Sequence, residues 1–272
     1  MTLAQWIFEQ GNSGAFAFGQ AQETLPNACN VGLWFDKFGT VAATRRNANI
    51  YDIGPRSTEW VNKLDGLKVG AVDELTRYDE LTRYHARLEA LVRAAGGLGH
   101  CLHQTEWSRF VTGIGMAHPI KNGFAWHRTL GVPYLPGSGV KGLTLAWARD
   151  WSDVNDDERK RIFGIAPTDL ATAGNAGSVV FLDAVPCAPV TLRAEILTPH
   201  GKGSGPPEDA VTPTPSGFLS MTGSTLYFSV LPRTRCDRDR TDCGAAMKWL
   251  IEALAEIGAG AKTKPGYGRF MI

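Results

Sequence analysis

The sequence has no run of about 18 apolar residues, so nothing in it reads as a membrane-spanning helix. Its N-terminus, MTLAQWIFEQGNSG, lacks a basic region followed by a long apolar one, which argues against a secretory leader. No CxxC pair occurs: the five cysteines, Cys29, Cys101, Cys187, Cys236 and Cys243, are scattered and odd in number. That pattern fits a reduced, cytoplasmic chain better than a disulfide framework. Excess charge is also missing. The net charge is +1, so any attraction for a polyanion must come from local basic clusters and not from a global field.

What is present is an ordinary globular composition, 43% hydrophobic and 20% charged over 272 residues, long enough to bury a sizeable core. An apolar run at 31–38 suggests a first strand and leads toward a basic pair, Arg45-Arg46. Residues 73–95 carry a helical seam at Tyr78, Leu81, His85, Leu88 and Val92, closed by Gly96-Gly97. The hexapeptide DELTRY stands twice within it, at 73–78 and 79–84; six residues is not a helical period, so this is a local duplication and not a repeat fold. Strands are expected at 100–112, 178–185, 190–197 and 225–231. Helices are expected at 139–151 (with Val140, Leu143, Trp147 and Trp151 along one side), 156–163 and 244–257. Residues 1–30 are poorly patterned, and the proline- and glycine-rich stretch 199–217 is a long surface loop. Strands and helices in mixed order indicate an α+β domain.

Three segments carry possible chemistry. In Leu135–Gly142 a helix starts, with Ser138 as its expected N-cap. Its free N–H groups and the dipole favour an anion, and Lys141 in the first turn fits a docked anion or else a solvated lysine on a capped helix. The match to G-x-G-x-x-G at Gly137, Gly139 and Gly142 lacks a preceding buried strand, because Pro133 and Pro136 interrupt it, so a dinucleotide site is not indicated. The C-terminal loop 258–270 interleaves Gly260 and three further glycines with Lys262, Lys264, Tyr267 and Arg269. Such a loop allows close backbone approach, charge and a stacking face for RNA, or it is a tight turn before a last strand. The segment 112–129 places His118, Lys121, Asn122, Trp126, His127 and Arg128 on exposed backbone, as binding loops do.

His100, Cys101 and His103 lie close in the sequence, but His100 and Cys101 point to opposite faces of a strand, and a zinc site would need two more ligands from distant positions such as Cys236 and Cys243. The string Asp237–Asp242 lacks the glycine of a calcium loop. No cofactor is implied.

Together these segments resemble the RAMP superfamily of CRISPR proteins, and within it the family of sixth subunits of the type III-B Cmr effector complex. The resemblance is carried by RFVTGIGMAHPIKNGFAWHRTLGVPYLPGSGVKG (109–142), Phe163-Gly164, GSVVFLDA (177–184), ILTPH (196–200), the PP…TP…FLS stretch (206–220) and GAGAKTKPGYGRF (258–270). The segment after His200 is shorter than is usual in that family.

The resemblance implies a ferredoxin-like (RRM-like) core with long loop insertions, one domain over 1–272. It implies a non-catalytic subunit that grips the 3′ part of a CRISPR guide RNA and the guide–target duplex, beside other Cmr-type RAMP subunits and the small helical subunit. The RNA-facing residues would be Arg45, Arg46, Lys121, Asn122, Trp126, His127, Arg128, Ser138, Gly139, Lys141, Gly260, Lys262, Lys264, Tyr267 and Arg269. The two cationic, glycine-lined segments are expected to converge on one groove. The alternative is a metal-dependent or acid–base endoribonuclease acting on target or precursor guide RNA. Asp36 is then the candidate catalytic acid, by analogy with an aspartate of related subunits, and His118 or His127 the base.

Overall fold

The computed structural model describes residues 29–38, 54–71, 79–106, 108–116, 118, 122–165, 174–198 and 215–271. Arg45, Arg46, Lys121 and most of the 199–217 loop lie outside the described residues.

The chain opens with two helices, α1 (Val31–Phe38) and α2 (Gly54–Asn62), and a short strand β1 (Lys68–Val69). The expected first strand is therefore a helix. Asn30 caps it: its side-chain oxygen accepts from Leu33 N at 2.9 Å. Trp34 and Phe35 are both buried, which a half-exposed strand could not achieve, since neighbours on a strand face opposite ways. Trp34 stacks on Trp60 of α2 with ring centroids 4.1 Å apart.

Helix α3 (Glu80–Ala95) buries Leu81, His85, Leu88 and Val92 of the expected seam; Tyr78 and the start of the expected 73–95 helix lie outside the described residues. Asp79 caps it by accepting from Thr82 N, and Gly96 ends it in the left-handed conformation, φ +72°. Strand β2 (Leu98–Gln104) follows, shorter than the 100–112 run, whose second half is irregular.

Next come α4 (Gly137–Asp150), α5 (Asp156–Phe163), a two-stranded ribbon of β3 (Gly164–Ile165) and β4 (Asn175–Ala176), then β5 (Val179–Phe181) and β6 (Val185–Pro186). Strands β7 (Val190–Leu197), β8 (Ser216–Thr222) and β9 (Thr225–Pro232) lead into α6 (Asp237–Glu256) and a terminal β10 (Phe270–Met271). Strand β8 begins inside the stretch read as loop: once past Pro215, SGFLSMT is buried throughout its first six positions.

Two antiparallel sheets result. One has the order β10–β2–β9–β5, with β6 also on β9; the other runs β1–β7–β8. β2 and β9 pair from Leu98↔Val230 to His103↔Thr225. Leu226, Phe228 and Val230 of β9 join the main core with Leu250 and Leu254 of α6, while Tyr227 packs with Leu88 and Val92 of α3. The first sheet is thus covered on both faces, which is why β9 reads as a continuous apolar run. Mixed helices and antiparallel sheets make this an α+β architecture.

Two helices depart from expectation. In α4 the buried side is Val140, Thr144 and Ala148. Trp147 instead donates its indole N–H to Glu252 at 2.9 Å and stacks on Trp151, which is 69% exposed. Helix α6 starts seven residues before the expected 244, because Cys236 caps it and Asp237 and Asp239 occupy its first turn, where acids suit the dipole. Asp242 then receives Arg161 of α5 through two hydrogen bonds, 2.8 and 3.0 Å, and Ser178 at 2.6 Å, tying α5 and the approach to β5 onto α6. Among the described residues no helix is long and apolar enough to cross a membrane.

Candidate nucleic-acid interface

The start of α4 is set by Pro136, not by Ser138. Pro136 is the cap residue, and no side chain caps the helix by itself. Gly137 is the first helical residue and packs so closely on β5 that a Cβ would come within 2.4 Å of Phe181 O. Its N–H donates to Asp183 at 2.6 Å, and the Gly139 and Val140 N–H groups turn back to Pro136 O. A carboxylate therefore already satisfies this helix end, and the backbone cradle expected there is occupied.

The side chains outward of that turn form a different site. Lys141 and Arg233, the latter just past β9, line one cleft of about 540 Å³ together with Ser138, Gly164, Asn175 and Gly177. No acid is among the described residues that line it. Arg233 is held in place: its N–H donates to Ser178 O at 2.8 Å and its guanidinium to Ala176 O at 2.9 Å, leaving further N–H donors of the fork. Two cations, an exposed serine and exposed glycine backbone at Gly139 suit a phosphate diester. Arg233 was missed in the sequence; its signal was the basic PRTR run directly after a strand.

The C-terminal loop is elsewhere. It lies over the second sheet and against residues 109–111. Gly268 N–H donates to Arg109 O at 2.7 Å and Ala261 N–H to Val111 O at 2.8 Å. Gly260 and Gly268 have positive φ, and a Cβ on Gly260 would meet Val111 O at 2.1 Å, so Gly260 is required by chain-to-chain packing before any ligand is considered. Lys262, itself at φ +60°, sets its ammonium 4.7 Å from the Phe218 ring centroid. Tyr267 donates its hydroxyl to Glu195 at 2.6 Å. Burial, then that carboxylate, push its pKa up to about 12. Arg109 completes the cluster, 2.9 Å from the other Glu195 oxygen. Lys264 is exposed. Arg269 is bound through its backbone to Ser108 and Thr105.

These two cationic segments do not meet. Among the described residues no hydrogen bond, ion pair or ring contact joins 137–142 to 258–270. The strands nearest them, β5 and β10, are the two edges of the first sheet, three strand steps of roughly 4.8 Å from each other. The expected single groove is thus two stations. The segment between them runs from Phe110, bridged to Met221, to Leu135, bridged to Ala184.

Several residues of that segment are claimed by the fold. Trp126 is 6% exposed, with its ring against Phe35 and Phe124, so it offers no base a platform. Asn122 spends its amide N–H groups on Ser216 and Gly217, both at 2.9 Å. His127 Nδ1 accepts from Leu130 N, its ring meets Tyr84 and Tyr134 edge-on, and burial lowers its pKa. Arg128 is exposed. His118 Nε2 lies 3.2 Å from Asp36, and its ring stacks on Phe35. Two of the three candidate catalytic groups, Asp36 and His118, are thus paired, and His127 is not among them; Asp36 stands on α1.

The Cmr6 subunit of the CRISPR Cmr system of Pyrococcus furiosus is 26% identical, with 60% of this chain and 65% of that protein covered. The Cmr6 subunit of Saccharolobus solfataricus is 23% identical, with coverages of 56% and 49%. The chain therefore spans less than two thirds of the length of either relative. Among solved structures, a chain of the type III-B Cmr-beta complex bound to cognate target RNA superposes with a TM-score of 0.55 at 19% identity, covering 71% of this chain and 64% of that one. The P. furiosus Cmr6 crystal structure covers 64% and 97%, at 24% identity and a TM-score of 0.39. The RAMP superfamily model matches residues 92–270, a span that runs from the end of α3 through both cationic stations to β10. This chain belongs to the RAMP superfamily.

Proposed function

We propose that the chain is a sixth-subunit (Cmr6-type) component of a type III-B CRISPR ribonucleoprotein, a non-catalytic backbone subunit that grips the 3′ part of the guide RNA and the guide–target duplex. The carrying observation is the cleft where Lys141 and Arg233 stand together with no described acid lining it. Cations on backbone-rich, exposed surface contact phosphates without reading bases, and such gripping suffices where base pairing carries specificity. Lys262 and Lys264 form a second phosphate station at the far sheet edge, so the RNA follows a track along the molecule and not a slot within it. The relatives named Cmr6 support the family, and the fold likeness to a chain of a target-bound Cmr complex supports the setting. The partners are then guide RNA, target RNA, other Cmr-type RAMP subunits and the small helical subunit.

The core fits a ferredoxin-like plan. β2–α4–β5–β9–α6–β10 follows a strand–helix–strand–strand–helix–strand course, and the β6–β8 region, which supplies two of the three strands of the second sheet, is a long insertion between its second and third strands. In this reading 1–272 is one RAMP domain.

Purification of the tagged chain from its host, with sequencing of bound RNA and mass spectrometry of bound proteins, tests the assignment. Guide RNAs and RAMP subunits are expected. Recovery of the chain alone, cutting repeat RNA without metal, would overturn it.

The endoribonuclease reading has one observation of its own, the Asp36–His118 pair. The His118 side chain is only 9% exposed and is stacked on Phe35, an arrangement that fastens His118 to α1. A base for RNA cleavage must reach a 2′-hydroxyl, which a buried clamp does not.

A further inference from the structure

On the α3 side of the first sheet, three metal-ligating side chains from distant parts of the chain come together. His85 of α3, Cys101 of β2 and Cys187 after β6 bring one ligand atom each within 4.8 Å of one another. Cys101 pairs with Tyr227 and Val185 with the same Tyr227 from the other side, so the two thiols reach toward each other across β9, Sγ to Sγ 3.0 Å. Helix α3 lowers His85 onto them from above.

His85 is 9% exposed. Glu89 faces its Nδ1 at 3.6 Å, and Nε2 is buried with no hydrogen-bond partner. An unmet buried ring nitrogen is costly, and a carboxylate behind the other nitrogen is the arrangement that fixes the tautomer of a metal-bound histidine. The Tyr227 ring, edge-on to His85 at 4.7 Å, walls one side.

We propose that His85 Nε2, Cys101 Sγ and Cys187 Sγ form a Cys2His site for one thiophilic cation of the zinc type, with water as the fourth ligand. Zinc takes sulfur at about 2.3 Å and imidazole nitrogen at about 2.0 Å, so ligand atoms round one ion stand about 3.5–4 Å apart. The three ligand atoms lie within 4.8 Å of one another, so the histidine has to close by less than about 1.5 Å and the thiols, now 3.0 Å apart, have to part slightly; Cys101 is on the exposed side of the site. The site clamps α3 to the sheet through β2 and the β6 end, on a different part of the chain from the Lys141–Arg233 cleft, so it stands whether or not the RNA reading does.

The test is titration of the reduced, chelator-treated full chain with Co2+, followed by Zn2+. The site predicts a thiolate-to-cobalt charge-transfer band that saturates at one equivalent and is displaced by Zn2+. It also predicts a thermal midpoint raised by Zn2+ in the unmodified chain. Cys101→Ser and Cys187→Ser remove the band, and His85→Gln weakens binding at least ~10-fold. Cys236→Ser, which keeps a helix cap, leaves it unchanged. No charge-transfer band in the unmodified chain, or a band that survives Cys187→Ser, overturns the proposal; the first reading does not depend on any variant folding.

Discussion

Glu195 of β7 accepts the Tyr267 hydroxyl on one oxygen at 2.6 Å and holds Arg109 on the other at 2.9 Å. One carboxylate thereby fastens the glycine-rich C-terminal loop and the segment after β2 to the second sheet. The expectation that Tyr267 is a free stacking face changes accordingly: its hydroxyl is anchored, and only the outer ring surface is left for a ligand.

Tyr267→Phe should therefore destabilise the chain by about 1.5 kcal/mol, the scale of a hydrogen bond to a charged acceptor, read as a drop of a few degrees in the thermal midpoint. The tyrosine pKa is raised to about 12 in the fold from about 10 unfolded. Its contribution is therefore fully present below pH 10 and is lost as pH rises toward 12. Alkaline denaturation of the two proteins should converge over that window.

Asp242 behaves in the opposite sense. Burial opposes its ionisation, but Arg161 and Ser178 outweigh it and hold the carboxyl below the usual range. The stability it adds is present above about pH 3.9 and disappears as pH falls through the lower native value. Asp242→Asn should cost about 2–3 kcal/mol at neutral pH, since it strips a buried partner from Arg161. It should also flatten the acid limb of the stability curve, measured by urea unfolding at stepped pH.

Trp126→Ala should cost about 3–5 kcal/mol by opening a cavity among Phe35 and Phe124. Whatever RNA affinity survives should keep its salt dependence, because no phosphate contact is removed. Filter binding at stepped salt, with unfolding measured beside it, separates the two effects.

Asp36→Ala in the assembled complex should leave every target cut in place, while loosening the hold of α1 on His118. Denaturing gels of labelled target report the cuts. Loss of any one cut would give Asp36 a catalytic role.

Much of the frame was readable in the sequence because local signals agree with the tertiary result. The α3 seam and its Gly96 stop, the α5 span, and β7 and β9 all stand where periodicity placed them. Errors arose where a short apolar run has no period of its own. VGLWFDKF reads equally as strand or helix, and the decisive residue is Asn30 just outside it. In α6 the charged string Asp237–Asp242 masked two helical turns whose acids serve as a capping turn and an ion-pair anchor. The site was less legible than the fold. Basic residues announce themselves, but which of them share a surface depends on sheet order, and β10 and β5 end at opposite edges. Trp126 reads as exposed because it stands in a segment rich in glycine, histidine and basic residues, yet Gly32 and Phe35 of a helix remote in sequence bury it. The His85–Cys101–Cys187 cluster has no sequence spacing to betray it at all.

The central claim is that Lys141 and Arg233 jointly hold RNA phosphates. Affinity for guide RNA should be measured against salt concentration for the unmodified chain, for Lys141→Glu with Arg233→Glu, and for Lys248→Glu on the exposed side of α6 as control. The account predicts that the double variant loses affinity evenly across unrelated RNA sequences and that its log–log salt slope shrinks by about 0.7–0.9 per lost phosphate contact, with the control unchanged. Equal slopes in all three proteins, or a loss confined to one RNA sequence, would contradict it.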